Sequence, residues 1–370
     1  MSPEERRPVT RPPDVEPCVP DPHDVLPRQA MPGIAADRRE HYVADDTMRA
    51  VTYHRYGQPE VLRVDDVPDP TPAEDEVLIR VEAAGVNPWD WDRLTGTPIY
   101  TRLEGLRTPS VTILGADIAG TVVATGQDVV TFSVGDDVFG DISHDGWGGF
   151  AEYVAVKPDR LARKPEAMSW DVAAALPQAG VLALQGLDWR RPLEEGQRVL
   201  INGAGGGVGT LGVQIARQRG CHVTAVDASH KLQALADLGA DAVIDYRSAD
   251  FTRIGDRFDV VVDVISRRPA RAFTRCLTDN GKAAVVGGTA RALLSAAVLG
   301  WLHTAASDRD IGVVVHRPNR EDTEKLARSV LVGTLHPLID EVYPLEDVPR
   351  ALTDIGAHRI TGKAVIRIGS

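Results

Sequence analysis

The stretch from Arg198 to Gly220, RVLINGAGGGVGTLGVQIARQRG, leaves this chain few folds to choose from. An apolar run of strand length enters a loop with five glycines between Gly203 and Gly209, then passes into apolar residues at helical spacing. A loop so poor in side chains gives up order and packing, and is tolerated where backbone must turn sharply or approach a ligand closely. The literal pattern G-x-G-x-x-G falls on Gly207, Gly209 and Gly212, too far from the strand to make the tight turn. The better register is A-x-G-x-x-G on Ala204, Gly206 and Gly209, with Gly203 reinforcing the turn. In that register the glycines admit a pyrophosphate and let helix and strand pack closely, while a helix starting near Gly207 and Val208 aims its free N–H groups at the phosphates. Gly205 belongs to the same loop. No Lys-Ser/Thr pair follows the glycines, which excludes a Walker-type loop.

The segments after this loop repeat its strand-helix alternation. HVTAVD, AVIDY, FDVVVDVI and KAAVVGG read as further buried strands; SHKLQALADLGA and PARAFTRCLTDNG read as helices. Apolar strands alternating with helices predict a doubly wound parallel α/β sheet covered on both faces. The second strand ends in Asp227, near the roughly 20-residue offset expected of the acid that holds an adenine ribose. A carboxylate there accepts from both ribose hydroxyls and repels a 2′-phosphate, so NAD(H) is favoured over NADP(H). Ser229, His230 and Lys231 keep NADP(H) open, because a hydroxyl and cations just past the strand suit a 2′-phosphate. Gly287 and Gly288 end the fifth strand, where open α/β sheets bind ligands, and are expected at the nicotinamide end.

Before the loop the pattern is different. Residues 1–47 are dense in proline and lack periodicity, which predicts a disordered leader and makes Met48 a candidate start. From Met48 to about Arg163, short β-type runs such as EVLIRVEAAGV and ILGADIAGTVVATG are broken by turns, which predicts a β-rich domain. SWDVAAALPQAGVLALQGL has helical spacing with a proline inside it, and the segment after Gly333 returns to short strands and one helix that fold back onto the first domain.

A net charge of -12 argues against nucleic acid as a partner. The longest apolar stretch, ALLSAAVLGWL from Ala292 to Leu302, is about half a membrane span and reads as a buried or subunit-facing helix. Three scattered cysteines, Cys18, Cys221 and Cys276, fit neither a disulfide framework nor a zinc knuckle, and suit a reducing, cytoplasmic setting.

Taken in order, GQPEVL, GVNPWDW, LGADIAGTVVATG, VGDDVFG, GGFAEYVAV, AAALPQAG, NGAGGGVG, LGAD, DNGKAAVVGG and ITGKAV make the chain from Met48 to Ile368 resemble the medium-chain dehydrogenase/reductase superfamily. The resemblance is to its zinc-independent, quinone-oxidoreductase-like (zeta-crystallin-type) branch. It implies a GroES-like catalytic domain of residues 48–172 plus 314–370, a Rossmann domain of residues 173–313 inserted between, and a homodimer. It also implies NAD(P)H-dependent reduction of a quinone, enone or other small polarised substrate in the cleft between the domains. Zinc-dependent relatives place a ligand Cys where Asn87 stands and a His-Glu pair where Ala116 and Asp117 stand; neither Asn87 nor Ala116 can complete a tetrahedral N/S site, so no metal is expected.

Without a Lewis acid, charge developing on a substrate oxygen must be met by hydrogen-bond donors and a proton source. By resemblance Asn87 lines the active site and is the leading donor, with a turn cap before Pro88 as its plainer role. Tyr100 stands near the functional tyrosine of related enoyl reductases, although the spacing differs by a couple of residues. Tyr53, His144 and Trp147 are expected around the substrate pocket, and Asp90 as a loop-ordering residue. Asp117 reads as structural, and His303, His316, His336 and His358 as surface or packing residues. Asp92 and Leu182 depart from the Lys and Thr common in relatives. Those departures motivate a second class of function, a dinucleotide sensor or structural protein that no longer catalyses. Within catalysis, enoyl thioester reductase and zinc-free alcohol/aldehyde dehydrogenase are the alternatives.

Overall fold

The computed structural model describes residues 47–103 and 105–369, so residues 1–46 of the expected leader lie outside the described residues, while Thr47 already begins the first strand. The chain becomes regular where the alternating pattern begins: β1 (Thr47–Thr52) and β2 (Arg63–Pro68) form an antiparallel pair. β3 (Val77–Val86), β4 (Asp117–Thr125), β5 (Asp137–Asp141), β6 (Tyr153–Val156) and β7 (Leu161–Arg163) follow, with helix α1 (Pro88–Thr95) between β3 and β4. The proline inside the next helical stretch divides it, because Pro177 has no N–H to donate. α2 (Trp170–Ala175) ends there and α3 (Pro177–Leu187) starts on the proline, at the first helical position, where that N–H is not needed.

The second sheet is the doubly wound one. β8 (Arg198–Asn202), β9 (His222–Asp227), β10 (Ala242–Asp245), β11 (Phe258–Asp263), β12 (Leu277–Val285) and β13 (Asp310–Val313) are all parallel, in the order β10-β9-β8-β11-β12-β13. The order reverses between β8 and β11, and ligands bind outside the carboxyl ends of strands at such a switch point. α4 (Gly207–Gln218) and α5 (Leu232–Asp237) connect the first three strands. α6 (Ala290–Leu294) and α7 (Gly300–Ala306) lead into β13.

α8 (Arg320–Leu331) returns the chain to the first sheet, where β14 (Ile339–Pro344), α9 (Val348–Gly356) and β15 (Lys363–Arg367) complete it. The order there is β14-β15-β3-β4-β5-β7, with β6 also pairing β3, so β15 lies between β14 and a strand made almost 280 residues earlier. One buried cluster joins Ala83, Ala119, Phe139 and Val365 of this sheet with α2, α3 and the inner face of the parallel sheet. A second fills the β-rich part around Ile79, Ile118, Phe150 and Leu352. The architecture is therefore a GroES-like β-rich portion joined to a Rossmann sheet.

The segment from Pro269 to Gly281 is not one helix. Only Ala270–Arg275 is helical, in a 3-10 turn, and Thr278–Gly281 is already part of β12. Asn280 takes a positive φ of 64° and the pairing with β11 shifts register there, so the polar TDNG run is a strand irregularity rather than a helix end. The apolar stretch from Ala292 is helical and buried on one face only: Ala292 and Ala296 are buried, while Leu294, Val298, Trp301 and Leu302 are 65%, 54%, 68% and 51% exposed.

Candidate active site

The glycine loop takes the register built on the strand. Gly203 turns at φ +79° and α4 begins at Gly207. The first backbone bond of α4 runs from the Thr210 N–H to the Gly206 carbonyl at 2.9 Å, so the N–H groups of Gly207, Val208 and Gly209 stand ahead of it. A Cβ on Gly209 would lie 2.4 Å from Ala204 Cα and 2.5 Å from two carbonyl oxygens, which fixes the helix hard against the strand. A Cβ on Gly206 would meet nothing closer than 3.7 Å, so the space above that glycine is open. This is a cradle that a side chain would fill, and it fits a dinucleotide pyrophosphate.

At the far end of the loop, Asp227 is buried and accepts two backbone N–H bonds, from Gly205 at 2.7 Å and Ala228 at 2.7 Å. Lys231 is also buried, its stem lying across Gly205 and its ammonium donating to the Ile360 carbonyl. Burial lowers the pKa of Lys231, and the charge of Asp227 opposes that. Ser229 and His230 are exposed beside them. Gly287 and Gly288 lie just past β12, where the Ser266 N–H donates to Gly287 at 2.8 Å and Gly288 turns at φ +135°. Gln178, at the start of α3, is 4% exposed, and its side-chain Nε2 has no partner among the described residues.

The sequence gives no sign of the cluster that lies next to this loop. Asn87 Nδ2 donates to Asp117 Oδ2 at 3.0 Å, while Lys363 Nζ donates to Asn87 Oδ1 at 2.6 Å and lies 3.3 Å from the same Asp117 oxygen. The remaining Asp117 oxygen accepts the Gln178 N–H at 2.9 Å. Asn87, Asp117 and Lys363 are all at most 3% exposed. Burial raises the pKa of Asp117, and the Lys363 ammonium pulls it back down. The Lys363 stem packs on Gly207, and Gly362 donates to the Gly205 carbonyl at 2.9 Å, so the strand that carries Lys363 is stapled to the dinucleotide loop. Lys363 belongs to the ITGKAV motif, but its distance of 276 residues from Asn87 hides the partnership.

Asp90 orders the Asn87 loop by accepting the Asn87 N–H at 2.7 Å and the Gly115 N–H at 2.9 Å. Complete burial still pushes its carboxyl up to about 7 against those two bonds. Asp92 is raised to about 7 by burial alone. A carboxyl raised in the folded state holds its proton there, so its contribution to stability is greatest at low pH and is lost as pH rises from about 4 through 7. Asp92→Asn should therefore stabilise the protein by on the order of 2 kcal/mol at pH 8 and change little at pH 4. Urea unfolding at both pH values checks this, and equal effects at the two would refute it.

The remaining candidates are dispersed. Tyr100 is 41% exposed on the 3-10 turn Ile99–Arg102, beside exposed Ile99, and no hydrogen bond joins it to Asn87. Burial and the charge of Asp92 raise its phenol above the usual range, which weakens it as an acid. Tyr53 is 1% exposed within the β-rich core and presents no face to solvent. Trp147 is 3% exposed, edge-on to Trp89 at 5.4 Å with the Arg93 guanidinium 4.7 Å above its ring. His144 is exposed and stands edge-on to His316 at 6.3 Å. His316 is no surface residue: it is 11% exposed and bonded to Asp141.

Comparison with known proteins agrees with this architecture. Residues 73–166 match the alcohol dehydrogenase GroES-like domain and residues 238–366 match the family described as zinc-binding dehydrogenase. The chain is 33% identical over 330 residues to the 2-methylene-furan-3-one reductase of Solanum lycopersicum, covering 86% of this chain and 79% of that one. It is 30% identical to the chloroplast envelope quinone oxidoreductase homolog of Arabidopsis thaliana, covering 88% and 99%. The structure of the quinone oxidoreductase from Coxiella burnetii superposes with a TM-score of 0.79 at 29% identity, covering 87% and 99%. The chain belongs to the medium-chain dehydrogenase/reductase family, in its quinone-oxidoreductase-like branch. It is an NAD(P)-dependent oxidoreductase.

Proposed function

We propose that this enzyme reduces a quinone, an enone or another α,β-unsaturated carbonyl with NADH or NADPH, in a cleft floored by Asn87. The carrying observation is the buried Asn87–Asp117–Lys363 cluster, packed through Lys363 onto the first residue of the dinucleotide helix. Gly203 to Gly209 would hold the pyrophosphate, Asp227 the adenine ribose, and Gly287 and Gly288 the nicotinamide end, as in the fold's general plan. The bound dinucleotide supplies a hydride. Asp117 takes one hydrogen of the Asn87 amide and Lys363 fixes its oxygen, which leaves the second N–H to donate to a substrate oxygen as charge develops there. Tyr100 and His144 border the entrance, and Tyr53 and Trp147 support the pocket from within the core.

A turnover panel of quinones, enones, enoyl thioesters and aldehydes with NADH and NADPH tests the reading. Oxidation with the first two classes is expected; tight dinucleotide binding with no turnover of any acceptor would leave a sensor or structural protein. We further propose a preference for NADH, supported by the Asp227 carboxylate at the end of β9. Asp227→Ser should reduce the NADH-to-NADPH ratio of kcat/KM at least tenfold, about 1.4 kcal/mol, and an unchanged ratio would overturn the assignment.

The partition into residues 48–172 plus 314–370 and 173–313 is the working division for this enzyme, supported by the two sheets. A homodimer is supported by the outer edge of β13, which no strand pairs among the described residues, and by the exposed apolar side chains of α6 and α7. A cytoplasmic setting is supported by the free, buried Cys221 and Cys276. No helix among the described residues is long and apolar enough to cross a membrane.

A further inference from the structure

Where the chain leaves the parallel sheet after β13, His316 reaches across to Asp141, the last residue of β5, with Nε2 and Oδ2 2.6 Å apart. The two side chains are 11% and 2% exposed. The other Asp141 oxygen accepts the Ser143 N–H at 2.8 Å, so the carboxylate is committed on both sides. His316 Nδ1 is buried and has no partner among the described residues. Buried ring nitrogens are nearly always satisfied, and one left without a partner points to a group that the structure does not hold.

The position of the pair is set from two directions. Asp141 stands directly opposite Asp117 in the β4–β5 ladder, and Asp117 holds Asn87. Gln185 of α3 clamps the residue after His316 through two bonds, donating to the Arg317 carbonyl at 2.8 Å and accepting its N–H at 3.1 Å. Leu182 lies one turn earlier on the same face of α3, whose first turn carries Gln178 and its contact with Asp117. His316 is therefore tied to Asn87 through Asp141 and Asp117, although it follows β13 of the other sheet.

We infer that His316, oriented by Asp141, donates the proton that completes reduction of the substrate. The inference rests on the reductase reading. As a hydride forms the new C–H bond at the β-carbon of an enone, the C=C electron pair moves onto the carbonyl oxygen. The Nδ1–H bond of the imidazolium then breaks, its proton goes to the α-carbon, and the ring is left neutral with Nε2–H still donating to Asp141. A quinone takes the proton on oxygen instead. Substrate gains two electrons, the dinucleotide loses two, and solvent returns the proton through the exposed edge of the ring. Asp141 is a positioning residue: it selects the tautomer and fixes the ring's orientation. Asp141 on β5 and His144 on the loop after β5 lie against His316, with Asp117 opposite Asp141 on β4 and Arg317 next in the chain.

His316→Gln should lower kcat for enone reduction at least 100-fold and remove the alkaline limb of the kcat–pH profile, while NADH affinity by fluorescence titration stays within twofold. The exposed His222→Gln variant is the control. In ¹⁵N-histidine NMR of the wild-type protein, His316 should show Nε2–H and unprotonated Nδ1 at high pH; in Asp141→Asn that tautomer preference should weaken and kcat should fall with KM unchanged. Absence of wild-type turnover with every acceptor would overturn the reductase reading and this inference together. Wild-type turnover with His316→Gln keeping kcat within threefold and its alkaline limb would overturn this inference alone.

Discussion

Lys363→Met should destabilise the protein by about 3–5 kcal/mol at pH 8, the scale expected when one partner of a buried ion pair is removed. The variant leaves the Asp117 carboxylate fully buried, with the Asn87 amide and the Gln178 N–H as its remaining partners. Burial already raises the pKa of Asp117 and Lys363 is the main force lowering it, so removing the ammonium raises it further. A raised carboxyl takes up its proton as pH falls, and the cost disappears with the charge. The destabilisation should thus be greatest above the folded-state pKa and shrink to about 1 kcal/mol by pH 5. Urea unfolding of wild type and variant at pH 8 and pH 5 measures this. A loss that is the same at both pH values would mean that the cavity left by the lysine stem, rather than the stranded charge, dominates.

The second large effect separates two glycines three positions apart. In Gly209→Val the first carbon alone would meet three backbone atoms within 2.5 Å, and none of them is the end of a flexible side chain. α4 must move off β8, so the variant should lose several kcal/mol of stability along with dinucleotide binding. In Gly206→Ala the added methyl enters open space, and the backbone there, φ -94° and ψ 179°, suits any residue. Stability should stay within about 0.5 kcal/mol while NADH affinity falls at least tenfold, because the methyl occupies the cradle. Thermal unfolding paired with fluorescence titration distinguishes the two outcomes. Unchanged NADH binding in Gly206→Ala would remove this loop as the pyrophosphate site.

Features that depend on neighbours in the chain were legible in the sequence. The strand, turn and helix around Gly206, the break at Pro177 and the start of β1 beside Met48 all follow from residues within a few positions of one another. The TDNG run misleads because its polar, turn-forming residues also suit an irregular strand, and only pairing with β11 decides between the two. β13 is four residues long with a glycine among them, too short for periodicity to reveal it. The site is harder still to read. Asn87 was visible through its motif, but the partners that orient it come from β4 and β15, and the Asp141–His316 bond spans 175 residues. A histidine in VVVHRP has no local signal of its partner, so its chemistry becomes visible only when two sheets are assembled.

The place of β15 has a consequence for synthesis on the ribosome. The glycine loop, its strand and its helix are all made before residue 220, and the parallel sheet is finished by residue 313. β6 covers only the Val77–Arg80 half of β3's second edge, so the Ala83–Val86 half waits unpaired until Lys363–Arg367 has emerged, because that strand inserts beside it and brings the ammonium that Asn87 and Asp117 share. A nascent chain thus has every glycine of its loop while the Asn87–Asp117 pair is still missing its cation. Premature termination anywhere before residue 363 would yield a polypeptide with every strand of the Rossmann sheet and without the Asn87–Asp117–Lys363 cluster, with an open strand edge available for association with other chains.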